Sequence, residues 1–444
     1  MTSLLSISYV FKVKGWPNHK SKCRPWRVTK SATLGRYLIA TRDIKAGELL
    51  LEDKPIILGP KQITEPVCLA CYRPVDGSFI CKNCGFPMCD EDCQSAETHE
   101  PECKAVRNSG QGVKVTLYGE INSLYECITP LRILSLKNSS PTTWNQLLGL
   151  ESHAEQRGQT EAAAITQRTV VDIITDRLKI REFDSETIQH VLGILDTNAF
   201  EIRLPDSSIQ GVYEEGAMLE HSCVPNTHRT FDADLQLVIR AAVDIKRGEH
   251  LTNCYTDSLT TSQVRQEHLL LSKYFTCNCV RCVDPTEFGT YMSSILCPEC
   301  RKAEGKNSNS TTGKQKNTKS KPAKAQTNQQ QASSSKNATD SKIDDKPYGV
   351  VIANDPLSPS SPWECITCKS PLDADYVVRM TAVMVEESEE LEAGSPSIAA
   401  CETFLNKWSS TFPDQHAVFL NVSLSSLSRV YLFIYYIDTD NWGL

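Results

Sequence analysis

The chain has 444 residues, 40% hydrophobic and 23% charged, which is length and apolar content for two or three domains with cores of their own. A net charge of −7 argues against a protein that grips nucleic acid through its overall charge. Nineteen cysteines without a recognisable secretory leader read as metal ligands in a reducing compartment before they read as disulfides.

The opening stretch MTSLLSISYVFKVKGW has no basic n-region, and serines break its apolar run, so an intracellular protein is expected. Residues 28–58 alternate and punctuate like β-hairpins. Within them DIKAGELL (43–50) returns two hundred residues later as DIKRGEHL (244–251). Each copy has an apolar strand end and a short turn, with glycine where a positive φ is wanted, as in a type I turn with a G1 bulge. Two such hairpins predict one β-domain whose halves are separated by insertions.

The first insertion, 68–103, reads Cys68-x2-Cys71, Cys81-x2-Cys84, Cys89-x3-Cys93 and His99-x3-Cys103. Eight ligands in four pairs suffice for two closed tetrahedral zinc sites. Two-residue gaps suit knuckle turns, and i,i+4 pairs share one helix face. Closed sites build structure and do no chemistry; each supplies about 10–16 kcal/mol of apparent folding energy to a module with little core. The second insertion, about 104–200, is expected to be helical. In ITQRTVVDIITDRLKI apolar residues recur at Val170, Ile173, Ile174 and Leu178.

Further on, LEHSCVPNT (219–227) holds Cys223 with no neighbouring thiol, while FTCNCVRC supplies Cys277, Cys279 and Cys282, one short of a tetrahedron. Cys223 is the expected fourth ligand, with a free buried thiol as the plainer alternative. Cys297-x2-Cys300 and Cys365-x2-Cys368 are candidates for one more zinc site. Between them, 302–342 contains no Val, Ile, Leu, Met or aromatic residue and is expected to be disordered. Its basic run KQKNTKSKPAK reads as a solvated tract or a nuclear-import or nucleic-acid patch. Cys23, Cys127, Cys254 and Cys401 fit no ligand pattern. After about 371 the pattern turns helical again, and VYLFIYYI near the end is too short to span a bilayer.

The order of these pieces resembles the SET-and-MYND-domain family of protein-lysine methyltransferases, most closely its arthropod branch. A split β-domain, an eight-ligand finger after its first part, HSCVPN, GEHLTNCYTD and then C-x-C-x2-C follow in one consistent order from about 30 to 283. The resemblance implies an α+β fold with a split, β-rich SET domain closed as a pseudoknot. It also implies this organisation: an N-terminal SET part at 1–67, the MYND finger at 68–103, a helical insert at 104–196, the C-terminal SET core at 197–260, a post-SET zinc region at 261–296, the interrupted C-x2-C pair at 297–370 and a short C-terminal helical region at 371–444. Cross-braced pairing in the finger would put Cys68, Cys71, Cys89 and Cys93 on one zinc and Cys81, Cys84, His99 and Cys103 on the other.

The resemblance further implies S-adenosylmethionine as cofactor and a protein lysine as substrate, in transcriptional regulation in nucleus and cytoplasm, by a monomer. Tyr255 matches the catalytic tyrosine. Gly35 and Arg36 match the N-terminal cofactor loop, and Asn198, Glu220, His221 and Phe275 stand at cofactor-contacting positions. The chain departs from the family at Glu220 for asparagine, Leu34 for arginine and Tyr37 for a second glycine. An ionised Glu220 only accepts hydrogen bonds, which suits the cofactor's ammonium and repels its carboxylate. A non-catalytic adaptor, holding proline-rich peptides of transcriptional regulators on the finger, is the alternative. A DNA-binding role ranks below both, because the finger is acidic.

Overall fold

The structure is a computed structural model that describes residues 24–308, 349–394 and 396–427. Cys23, the basic run, most of the stretch expected to be disordered and VYLFIYYI lie outside the described residues. The chain divides into two compact units, one of Met1–Tyr255 with Leu271–Phe275 and one of Thr256–Leu270 with Thr276–Leu444.

In the first unit, Trp26–Ser31 and Gly35–Ala40 form an antiparallel hairpin. Leu49–Asp53 pairs with Leu237–Ala241, which pairs with Thr227–Phe231; Pro55–Pro60 pairs with Ser208–Tyr213, which pairs with Ala199–Arg203. These strands are half-buried and show it. Leu237–Ala241 alternates, with Leu237, Ile239 and Ala241 buried and Arg240 exposed. Together with Leu38, Ile44, Ile245 and Leu251 they make the β-core, each large side chain contributing about 1.5–3 kcal/mol of transfer free energy. Glu220–His221 and Thr252–Asn253, the strands of the HSC and CYTD motifs, lie side by side in parallel.

The repeated turns have the expected geometry, with Gly47 at φ +82° and Gly248 at φ +88°. They do not close as separate hairpins, however. Each closes on the other. Ile44 bridges Ile245, the Gly47 N–H donates to Ala241 and the Gly248 N–H to Ala40. Asp43 accepts from the Arg247 N–H at 3.0 Å while Asp244 accepts from the Ala46 N–H at 3.0 Å. A carboxylate from each copy therefore satisfies a backbone donor in the other turn, and the backbone bond from Arg247 is the main reason the Asp43 carboxyl is held below its ordinary pKa.

The insert is helical as expected. Glu100–Ser109, Ile128–Ser139, Pro141–Leu148 and Ser185–Asn198 pack around Ile133, Val171, Ile174, Ile188, Val191 and Ile194. The Asp184 side chain caps the last of these helices through the Thr187 N–H. The run holding Val170 to Leu178 departs from an α-helix: Gln167–Val171 and Ile173–Arg177 are π-turns. Their wider bonds, as from the Leu178 N–H to Ile173 at 2.8 Å, still bury Val170, Val171, Ile174 and Leu178.

The second unit contains a small antiparallel sheet in the order Ile295–Leu296, Val350–Ala353, Trp363–Cys365, Pro371–Leu372. Helices Ala374–Ala393 and Ile398–Trp408 and a helical stretch at 417–427 pack Met384, Phe404, Trp408, Phe412 and Phe419 against it. The helix Pro298–Ser308 corrects one expectation. It carries helical backbone through 302–308, the start of the stretch read as disordered, because it grows directly out of the Cys297–Cys300 knuckle.

Candidate active site and metal centres

Zinc ligands first. The ligand atoms of Cys68, Cys71, Cys89 and Cys93 lie within 4.8 Å of one another, and so do those of Cys81, Cys84, His99 and Cys103. This is the cross-braced pairing. A tetrahedron of Zn–S bonds of about 2.3 Å has S···S edges of about 3.8 Å, and S···N edges of about 3.5 Å. Cys71 and Cys89 are 3.5 Å apart, Cys81 and Cys103 3.8 Å, and His99 Nε2 stands 3.5 Å from Cys81 and 3.6 Å from Cys84. These are metal-site separations, and none of these cysteines is disulfide-bonded. The third set, Cys297, Cys300, Cys365 and Cys368, is equally closed, with Cys297 and Cys368 at 3.5 Å and Cys300 and Cys365 at 3.7 Å.

Sequence reading missed the support beneath the second finger site. His99 Nδ1 lies 3.0 Å from Glu102 Oε1, and both side chains are fully buried. Glu102 takes a bidentate pair from Arg132, at 2.8 and 2.7 Å. Arg132, also buried, donates onward to the Leu58 and Leu69 carbonyls and the Tyr72 hydroxyl. A carboxylate behind a ligating histidine fixes its tautomer and raises its basicity. Here the same carboxylate fastens the finger to the helical insert and to the Pro55–Pro60 strand.

In the second unit Cys277, Cys279 and Cys282 bring their sulfurs within 4.8 Å of one another. Gln266 grips this turn in both directions, giving to the Cys277 carbonyl at 2.6 Å and taking from its N–H at 2.9 Å. The buried Glu287 carboxylate holds Arg281 and Arg265 at 2.8 Å each.

The candidate active site lies in the first unit. His221 is its hub. Its ring is 5.1 Å from that of Tyr255 and 5.9 Å from that of Phe275. Its Nδ1 accepts the Tyr255 backbone N–H at 3.0 Å, which leaves the proton on Nε2, 3.2 Å from the sulfur of buried Cys223. The Tyr255 hydroxyl donates to the Leu219 carbonyl. Burial pushes the phenol pKa up, so it stays protonated. Asn198 spends its amide N–H groups on the Glu151 and Ile194 carbonyls, at 2.7 and 2.8 Å. Arg36 donates to the Gly149 carbonyl at 2.7 Å. The segment from Gly149 to His153, whose ring lies 5.0 Å from that of Tyr274, is therefore a wall of the site that no motif announced.

Two of the three departures are joined. Tyr37 stacks on His250 at 4.6 Å, and His250 Nδ1 lies 2.6 Å from Glu220 Oε2. The contact is close but not aligned as a hydrogen bond, so this buried oxygen keeps unspent acceptor capacity. Burial raises the Glu220 carboxyl pKa against the opposing pull of His250. The buried Asn253 Nδ2 also has no hydrogen-bond partner. Gly35 sits at φ +66° with nothing within 4 Å of where a Cβ would stand. An unspent acceptor, an unspent donor, an aromatic cluster and an open glycine turn suit a zwitterionic ligand with an aromatic base. Lys273 was also missed, although it stands two residues before Phe275. Its amine bonds the Asp196 and Thr197 carbonyls.

The sequence matches the SET domain family over residues 35–256, half of the chain. It is 30% identical to SET domain-containing protein SmydA-8, isoform A, of Drosophila melanogaster, over 62% of this chain and 60% of that one. It is 27% identical to histone-lysine N-methyltransferase SMYD3 of Homo sapiens, over 58% of this chain and 62% of that one. The chain thus spans about three fifths of the length of these curated relatives. Among solved structures, the SET domain of LSMT bound to lysine and AdoHcy is 13% identical over 58% of this chain and 54% of that one, at a TM-score of 0.29, a likeness too shallow to support further argument. On the family match and the finger geometry together, the chain belongs to the SET-domain family, in its SET-and-MYND branch.

Proposed function

We propose that this chain is a protein-lysine N-methyltransferase that uses S-adenosylmethionine. The observation that carries the reading is the Tyr255–His221–Phe275 cluster, in which three separated motifs meet and the Tyr255 hydroxyl is fixed by a backbone carbonyl. Glu220, Gly35, Arg36 and Phe275 would hold the cofactor, which supplies an activated sulfonium methyl group. The chain's part is positioning and desolvation. Tyr255 orients the acceptor amine. The surrounding rings and buried backbone withhold water, which favours the neutral, nucleophilic form of a lysine amine. His221 fixes Tyr255 through its backbone N–H.

Cys223 completes the metal set of Cys277, Cys279 and Cys282 on this reading. Three clustered sulfurs short of a tetrahedron and a buried fourth thiol held by His221 support it.

The experiment is transfer of labelled methyl from S-adenosylmethionine to lysines of a histone mixture. Tyr255→Phe is expected to lower the rate on the order of a hundredfold, the usual cost of one oriented group at a reacting centre. Zinc content should not change, and the fold should persist with at most a modest loss of thermal stability from the Leu219 carbonyl left without its donor. A variant as active as the wild type removes Tyr255 from the chemistry.

A further inference from the structure

Lys273 is the last residue of the helix Ser262–Lys273, and its Nζ donates to the Asp196 carbonyl at 2.6 Å and the Thr197 carbonyl at 2.9 Å. These are end carbonyls of the helix Ser185–Asn198, where backbone acceptors lack an in-helix partner and the dipole is negative. The same Nζ lies 5.8 Å from the centroid of the Tyr255 ring, within cation–π reach. A lysine capping a helix C-terminus is an ordinary structural device. That device needs only the carbonyls and is satisfied at the surface. Here the side chain is half-buried, and that burial brings the amine pKa down to about 8. It faces the one tyrosine at which the proposed reaction takes place.

We propose that the Asp196 and Thr197 carbonyls and the Tyr255 ring form an ammonium-binding notch that receives the acceptor amine, and that Lys273 is the chain's own occupant of it. Lys273 is then a specificity-determining residue: an incoming lysine reaches Tyr255 by taking over the two carbonyls that Lys273 holds. The inference rests on the reading of Tyr255 as the catalytic tyrosine. It goes beyond that reading by naming the groups that bind the acceptor and the residue that competes for them.

The probe is n-butylammonium, the free end of a lysine side chain, followed by saturation-transfer NMR on the full chain. Wild type should give little transfer. Lys273→Met keeps the stem and removes the charge, and should bind the probe about tenfold or more tightly, the worth of one charge-assisted contact. Lys273→Arg, which keeps cationic donors, should exclude it as the wild type does. Equal transfer in wild type and Lys273→Met, or none in either, overturns the proposal. Should Lys273→Met fail to fold, the wild type with 13C-labelled lysines decides. Excess n-butylammonium should displace Lys273 from the two carbonyls and shift its Cε resonance while leaving that of exposed Lys45 in place, and no selective shift overturns the notch. Calorimetry with S-adenosylmethionine on the same samples separates the two readings. Cofactor binding without amine discrimination sinks only the notch, and absence of cofactor binding sinks the methyltransferase reading.

Discussion

Tyr255, His221 and Phe275 belong to three separate stretches of sequence, and each alone reads as an ordinary core or strand residue. What the sequence could convey was their order. What it could not convey was who holds whom: that His221 spends one ring nitrogen on the Tyr255 backbone and the other on Cys223, or that Tyr37 and Glu220 meet through His250. Such contacts cross the chain between residues whose types carry no spacing signal. Lys273 was invisible for the same reason, since one lysine beside a motif is indistinguishable from a solvated charge. Its amine makes a pH prediction with a definite sign. The folded pKa lies near 8, below the ordinary 10.5, chiefly because of burial, with Asp196 pulling the other way. Below pH 8 the amine is charged in both folded and unfolded chains and its desolvation is a cost. Between those two pKa values the folded chain sheds a proton that the unfolded chain keeps, so the cost fades as pH rises. Urea unfolding of wild type and Lys273→Met should therefore show the difference moving in favour of the wild type by up to about 3 kcal/mol from pH 7.5 to 10.5. A difference independent of pH would mean that the amine is solvated.

At the scale of elements, the cysteine spacing was the most legible feature: paired thiols mark metal ligands, while which pairs share a metal was implied only by the family resemblance. Both the finger ligands and the later C-x2-C pairs came together as the spacing allowed. The repeated DIKxGE turns were legible as turns but not as partners. A type I turn with a G1 bulge describes either copy, and only the fold shows that each aspartate serves the other copy's backbone. The buried Glu102–Arg132 pair is the least legible of all, for nothing in a sequence marks an arginine that will be 3% exposed. It joins the finger, the insert and the strand Pro55–Pro60, so its loss should be felt in all three. Arg132→Ala strands the Glu102 carboxylate without its partner, and a broken buried pair costs about 3–5 kcal/mol. Urea denaturation should show that loss. Hydrogen exchange should rise first in 68–103, where Glu102 no longer steadies His99. A variant within 1 kcal/mol of wild type, well inside the range of an exposed pair, would show that the pair does not fasten the finger.

For the whole molecule, the family match covers half of the sequence and the two compact units cover the described chain. The split β-domain, the eight-ligand insertion and the later thiol clusters followed from the repeated turns and the cysteine spacing, while the α+β SET organisation was implied by the family resemblance. The four-stranded sheet around Val350–Ala353 did not, because strands of two to four residues carry too little periodicity to register. Three closed ligand sets stand among the described residues, and the proposed Cys223 set makes a fourth. Elemental analysis of the purified chain should therefore find four zinc ions, and Cys223→Ser should lower the count by one. An unchanged count in that variant would remove Cys223 from the metal set. If Tyr255, His221 and Glu220 surround a methyl-donor pocket, S-adenosylmethionine titrated into the zinc-loaded chain in a calorimeter should bind there. One-to-one binding, weakened in Glu220→Ala, is the predicted result; a folded, zinc-replete chain that takes up no S-adenosylmethionine would contradict it.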